Sequence, residues 1–199
     1  LPVDQIAFPR TANNLGKFAD SGTIYRKSTP MHVRGSLLFN FLLKEKKIHP
    51  KLIYTTSNHQ NPTGAILSQE RREQMLELAD EYDIVIVEDD CYGDIDFVAS
   101  SMPDALFKLD DSNRVIYIAT FSKILGAGLR QGYFVARNPY YDSIHENRWD
   151  GGTSALASAI VAEFFKTHLD DHLEVTNAAV GAKCRAVMQT LEENISDLC

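Results

Sequence analysis

Four short stretches of this chain combine residue types that suit a reaction centre. The first is Thr120-Phe121-Ser122-Lys123, directly after the apolar run Val115–Ala119. A lysine there is either a solvated surface residue, as most lysines are, or an amine beside a cationic, partly desolvated pocket. In the second case its pKa falls, and the neutral amine attacks an aldehyde. Next is Glu88-Asp89-Asp90-Cys91-Tyr92. Three consecutive carboxylates repel one another and cost stability unless something compensates them. They form either a polar loop with a helix cap or a site where one carboxylate faces a ring-nitrogen cation. An Asp beside a pyridinium keeps that nitrogen protonated, so the ring remains an electron sink. Tyr92 then brings a hydroxyl near the same ring.

Asn61-Pro62-Thr63-Gly64 reads first as a turn, for which Pro and Gly suffice. The alternative uses Asn61, because an amide past the C-terminal end of a parallel strand faces the crevice where α/β folds bind ligands. Gly126-Ala127-Gly128-Leu129-Arg130 is the fourth stretch. It misses the dinucleotide fingerprint, because the third glycine is Gly132, and no Lys-Ser/Thr follows to make a Walker loop. Arg130 can grip a phosphate bidentately.

The elements that must position these residues are legible from Leu52 onward. Leu52–Thr56 reads as a strand. Ser68 is the expected N-cap of a helix, with Glu70 in its first turn and Met75, Leu78, Ala79 and Tyr82 on its apolar face. Ile84–Val87 is expected to be a parallel strand buried on both faces, and Val115–Ala119 and Gly132–Ala136 are further strands. Ser154–Lys166 and Val175–Glu193 read as helices. In the second, Val180, Cys184, Val187, Met188 and Leu191 share one face. Residues 1–34 look loop-rich, with polar residues crowded at Thr11–Asp20 and room for a strand or two. Leu37–Lys47 is a short helix candidate. Strands alternating with helices give an α/β layered fold.

Composition narrows the function. Of 199 residues, 44% are hydrophobic and 24% charged, enough for a core, and the net charge is −7. The acidic balance argues against nucleic acid as a main partner, and Lys44–Lys47, interrupted by Glu45, is a solvated helix end. Three widely spaced cysteines, Cys91, Cys184 and Cys199, suggest neither a disulfide framework nor structural zinc. No apolar run reaches membrane-spanning length. His168 and His172 are four apart, which puts both on one helix face, but Leu169 replaces the glutamate of a zinc helix, so no metal site is expected. Trp149, before Asp150-Gly151-Gly152, reads first as a packing residue, with a chain turn near the active-site mouth as the alternative.

Taken in order, Asn-Pro-Thr-Gly, then Asp-x-x-Tyr, then Thr-x-Ser-Lys with an Arg seven residues on resembles the fold-type-I pyridoxal-phosphate enzymes. His59-Gln60-Asn61-Pro62-Thr63-Gly64 with Glu70-Arg71-Arg72 looks like the class I/II aminotransferases of the aminoadipate and kynurenine type. The resemblance is firm from Leu52 to Ala136. It implies an incomplete three-layer αβα large domain with a mostly parallel sheet. Residues 1–50 would be a divergent N-terminal segment, 51–170 the cofactor-binding core, and 171–199 a helix leading toward a C-terminal small domain. It implies pyridoxal 5'-phosphate as cofactor, with Lys123 as the catalytic Schiff-base lysine. Asp89 pairs with the ring nitrogen, Asn61 and Tyr92 bond the ring 3'-oxygen, and Thr120, Ser122 and Arg130 hold the phosphate. Asp90 has no ring role in this pattern, and Cys91 is a small packing residue.

The expected partners are an amino acid and a 2-oxo acid, with no nucleic acid and no membrane, in a cytoplasmic or mitochondrial homodimer. Family subunits are about twice this long, so the chain resembles a fragment that lacks a phosphate-binding loop, a ring-stacking aromatic and a carboxylate-gripping Arg. Two alternatives share the cofactor: a lyase, decarboxylase or racemase, and the ligand-sensing domain of a transcription regulator. Such regulator domains usually carry an aromatic where Asn61 stands, which favours the enzyme.

Overall fold

The computed structural model describes residues 6–7, 50–97, 102–148 and 152–195. The expected helix at 37–47, the polar segment 11–20, the lysine cluster at 44–47, Trp149 and Cys199 lie outside the described residues. Among those described, strand β1 (Ile6–Ala7) and strand β2 (Leu52–Thr55) precede helix α1 (Gln69–Glu81) and strand β3 (Val85–Asp89). Helix α2 (Leu106–Leu109) and strand β4 (Val115–Thr120) follow. A π-helical turn (Ser122–Gly126) and a short 3-10 turn (Ala127–Leu129) then lead into strand β5 (Gly132–Val135). Helices α3 (Tyr140–Glu146), α4 (Ala155–Thr167) and α5 (Leu169–Ile195) complete the order.

The five strands form one sheet in sequence order, β1-β2-β3-β4-β5. The first three pairings are parallel, and β5 returns antiparallel to β4. This is the α/β layering that the alternating pattern implies, with the mostly parallel sheet that the resemblance implies. The parallel register brings the carboxyl ends of β2, β3 and β4 to one edge, with Thr55 beside Glu88 and Asp89 beside Ile118. Asp90 extends β3 by one backbone bond, its N–H donating to the Ile118 carbonyl at 2.9 Å.

Helix α1 starts where a side chain satisfies its first orphan amides. Ser68 is extended (φ −64°, ψ 158°), and its hydroxyl accepts the Arg71 N–H at 3.4 Å. The helix buries Leu78 and Ala79 and half-buries Met75 and Tyr82, which is the expected face. Ala79 joins a core of Ile53 (β2), Ile84, Ile86 (β3), Leu106 (α2) and Val115 (β4), and Met75 and Tyr82 pack against it. The expectation that β3 is buried on both faces is corrected. Ile86 and Glu88 are buried while Val85 and Val87 are half-buried, because the strand carries one packed face and one shallower one. Gly132 opens β5 because no side chain fits there: a Cβ would stand 2.8 Å from the Ala119 carbonyl oxygen.

The chain divides into two compact units. The first comprises residues 1–92, 102–120 and 132–150, and it contains the sheet and the core cluster. The second comprises 93–101, 121–131 and 151–199, and it contains the lysine turn with α4 and α5. Within the second unit, Gly181 of α5 is buried, and a Cβ there would lie 3.0 Å from the Phe97 Cβ. Helix α5 runs longer than the expected Val175–Glu193. His168 caps the end of α4 while His172 lies in α5, so the two histidines do not share one continuous helix.

Candidate active site

The three carboxylates at the end of β3 are compensated separately. Glu88 is fully buried, and its side chain accepts the Ser57 hydroxyl at 2.6 Å and the Leu106 and Phe107 backbone N–H groups at 3.0 Å each. The buried Arg72 guanidinium lies 3.6 Å from the same carboxylate. Arg72 also donates to the Leu67 and Ser57 carbonyls and, at 2.6 Å, to Asn58 Oδ1. Burial holds the Arg72 pKa below its ordinary value, against the opposing pull of Glu88, Asp90 and Asp104. Asn58 in turn donates to Asp90 Oδ1 at 2.8 Å, and the Tyr117 hydroxyl donates to Asp90 Oδ2 at 2.9 Å. Burial, then the Asp90 charge, pushes the Tyr117 phenol up, so it stays protonated as a donor. One continuous network thus runs Ser57–Glu88–Arg72–Asn58–Asp90–Tyr117.

Asp89 lies outside that network. Successive strand residues face opposite sides, and Asp89, half-buried, accepts a hydrogen bond from the Tyr54 hydroxyl. Its neighbours therefore serve the interior, while Asp89 stands at the strand's carboxyl end with the Tyr54 hydroxyl as its hydrogen-bond donor. The Asn61 amide nitrogen donates to the Tyr92 hydroxyl oxygen at 3.4 Å, and both groups are accessible. Gln60 shapes the turn that presents Asn61: it accepts the Thr63 hydroxyl at 2.6 Å, and its own carbonyl accepts the Gly64 N–H at 2.7 Å. Gly64 takes φ +68°, the left-handed region that suits glycine. Thr120 closes β4 opposite Gly132. The first unit therefore brings Asn61 and Tyr92 together, holds Asp89 beside Tyr54, and places Thr120 at the end of the adjoining strand.

The second unit supplies Ser122, Lys123 and Arg130. Lys123 is exposed in the π-helical turn, a geometry often found at functional positions. The turn closes through the Leu125 N–H, which donates to the Phe121 carbonyl at 2.8 Å. Phe121 packs edge-on against Phe165 with ring centroids 4.9 Å apart, and its N–H donates to the Gln131 carbonyl at 3.2 Å. The Ser158 hydroxyl of α4 donates to the buried Gln131 side chain at 3.1 Å. Arg130 is exposed and takes φ +51°, left-handed for a residue with a Cβ, a conformation that persists only where surroundings enforce it.

Each unit taken by itself carries groups that match part of a phosphorylated pyridine aldehyde. A carboxylate matches a ring N–H, an amide and a phenol 3.4 Å apart match a phenolate oxygen, an accessible primary amine matches an aldehyde, and hydroxyls with a guanidinium match a phosphate. Sequence reasoning missed the Ser57, Asn58, Arg72 and Tyr117 network and the Tyr54 contact. The unexplained density of acid at Glu88–Asp90 was the signal that buried donors had to exist.

Comparison with known proteins adds to this geometry. The family model for aminotransferase class I and II matches residues 35–198. Aromatic-amino-acid aminotransferase 1 of Thermococcus litoralis is 34% identical over 74% of this chain and 36% of its own length. An HTH-type transcriptional regulator of Bacillus subtilis is 28% identical over 85% of this chain and 36% of its own. The crystal structure of a multiple substrate aminotransferase from Thermococcus profundus superposes with TM-score 0.78 at 30% identity, covering 94% of this chain and 48% of that one. The chain thus spans between about a third and a half of the length of the proteins it matches.

Proposed function

Because the chain belongs to the class I and II aminotransferase family, we propose that it is the cofactor-binding core of a pyridoxal-phosphate-dependent aminotransferase, working through Lys123. The observation that carries this reading is the placement of Asp89 and Thr120 as the last residues of β3 and β4, with Lys123 three residues beyond Thr120. The cofactor, when bound, supplies an aldehyde for condensation and a cationic ring that accepts electrons.

The remaining chemistry belongs to this chain. Lys123 Nζ would hold the cofactor through its aldehyde and would move a proton to and from the substrate Cα. Asp89, oriented by the Tyr54 hydroxyl, holds the proton on the ring nitrogen. Asn61 Nδ2 and the Tyr92 hydroxyl donate to the ring 3'-oxygen. Thr120, Ser122 and Arg130 grip the phosphate. The substrates on this reading are an amino acid and a 2-oxo acid, and the complete protein works as a homodimer. Residues 171–199 then lead toward a small domain. The exposed Val187, Met188 and Leu191 of α5 support that reading, since apolar stripes of this kind are usually covered by a packing partner. Compartment is left to the cytoplasm or the mitochondrion; no described helix is long and apolar enough to cross a membrane.

A second reading, the ligand-sensing domain of a transcription regulator, is favoured by the Bacillus subtilis relative. One experiment separates the two. The complete protein is loaded with pyridoxal phosphate, reduced with borohydride, digested and mapped by mass spectrometry. A parallel sample is screened for amino transfer from each amino acid to 2-oxoglutarate. The expected result is a label on Lys123 with transfer from at least one donor. A label without any transfer supports the sensing or lyase readings, and a label elsewhere overturns the assignment of Lys123. The isolated chain is expected to bind the cofactor poorly, and tight binding would contradict its being only part of the site.

A further inference from the structure

The turn that presents Lys123 is secured from one side by groups already described, Phe121 through Phe165 and Gln131. Its other side is met by a residue with no role in the reading above. His172, in the first turns of α5, places its ring Nε2 2.6 Å from the Ile124 carbonyl oxygen. Ile124 directly follows Lys123 and is buried. A carbonyl oxygen can only accept, so Nε2 carries the hydrogen, which fixes the tautomer. The ring is oriented by two further contacts. Phe164 meets it edge-on with centroids 5.3 Å apart, and the Thr176 hydroxyl lies 3.4 Å from the same nitrogen. The ring is half-buried, where a lost hydrogen bond is not simply replaced by bulk water.

We propose that His172 is a positioning residue for Lys123: its Nε2–H clamps the Ile124 carbonyl and so fixes the π-helical turn from which the lysine amine reaches out. The proposal rests on the assignment of Lys123 above. The lysine's flanks are then both anchored, Phe121 by its ring and backbone and Ile124 by its carbonyl, while the lysine side chain between them stays accessible. An amine that must meet one carbon and then shuttle one proton depends on such anchoring, since small displacements of a reacting group cost rate steeply. Contacts of this sort act on orientation and leave substrate recognition alone.

The test uses His172→Leu, which removes the donor, and His172→Gln, whose amide can still reach the carbonyl. In the unloaded chain, backbone hydrogen exchange of residues 121–126 is read by mass spectrometry. His172→Leu is expected to speed exchange in that segment on the order of tenfold while β2 and β3 stay unchanged, and His172→Gln to restore most of the protection. In the loaded complete protein, kcat for amino transfer should fall on the order of tenfold with KM for the amino donor unmoved, and the visible circular dichroism of the bound cofactor should change. Unchanged exchange in His172→Leu overturns the clamp, as does a His172→Gln form no better than His172→Leu. If exchange responds but kcat and the dichroic band do not, the clamp is structural and the positioning role is overturned. If the wild type takes up no cofactor, the functional reading falls and the exchange result still decides the clamp. Should His172→Leu not fold, His172→Asn, whose shorter amide stops short of Ile124, takes its place.

Discussion

The two units of this chain solve the problem of holding a reactive group in opposite ways. In the first, the polar residues near the proposed ring site are braced by a buried network on a packed apolar core, Ile53, Ala79, Ile84, Ile86, Leu106 and Val115. In the second, the lysine turn is tied to helices by a few specific contacts, and large apolar side chains stand in water: Leu156 at 72% exposure, Val175 at 68% and Ile160 at 55%. Among the described residues, only Ile124 and Val161 are buried hydrophobics of the second unit. The difference teaches that precision has two sources here. Asp89 inherits its place from a sheet whose interior fixes it, whereas Lys123 inherits its place from individual hydrogen bonds and one aromatic pair.

Substitutions in the two units put that contrast at risk in decreasing order of effect. Lys123→Ala in the complete, loaded protein should lower amino transfer by ~10³-fold or more, the scale of a lost acid–base group, without changing hydrogen exchange in β2 or β3. A wild-type rate would end the assignment. Arg72→Met leaves Glu88 charged, buried and without its ion pair; denaturant titration should show a loss of about 3–5 kcal/mol, concentrated in the first unit. A loss under about 1 kcal/mol would mean that water or a rearranged donor replaces Arg72. Ile86→Ala, in the packed core, should cost about 2–5 kcal/mol, measured the same way. Ser68→Ala, which removes the cap of α1, should cost about 1 kcal/mol. Ile160→Ala, on the open face of α4, should stay within about 0.5 kcal/mol of wild type. Equal costs for Ile86→Ala and Ile160→Ala would erase the contrast between the units.

Local patterns made the frame legible from the residues alone. The strand at Leu52, the cap at Ser68, the helix face of Met75, Leu78, Ala79 and Tyr82, and the strand opening at Gly132 all depend on neighbours a few positions away. The proposed site residues were singled out for a related reason, since Asp89 and Thr120 end strands and the others lie in the turns that follow. What stayed hidden depends on distant partners. Ser57, Asn58, Arg72, Glu88, Asp90 and Tyr117 come from two strand ends, the middle of a third strand and a helix, and no periodicity announces that they meet. Arg72 was singled out only as part of the Glu70-Arg71-Arg72 run, which carries no sign that its side chain is fully buried. The apolar face of α5 was read correctly as a face, but amphipathic spacing reports which residues align, not what covers them. The π-helical turn was invisible because its apolar spacing does not differ from that of an ordinary short helix.

Gly132 against the Ala119 carbonyl has a consequence for anyone altering this chain. Its contact with β4 locks the antiparallel pairing of Thr120 with Gly132, so residues 121–131 form a cassette with fixed ends. Inserting one residue between Thr120 and Lys123 would shift the lysine by one position relative to the Thr120–Gly132 pair. The accessible Ala127–Gly128 stretch, where a Cβ at Gly128 would meet open space, is the point at which the same cassette can be lengthened, tagged or grafted.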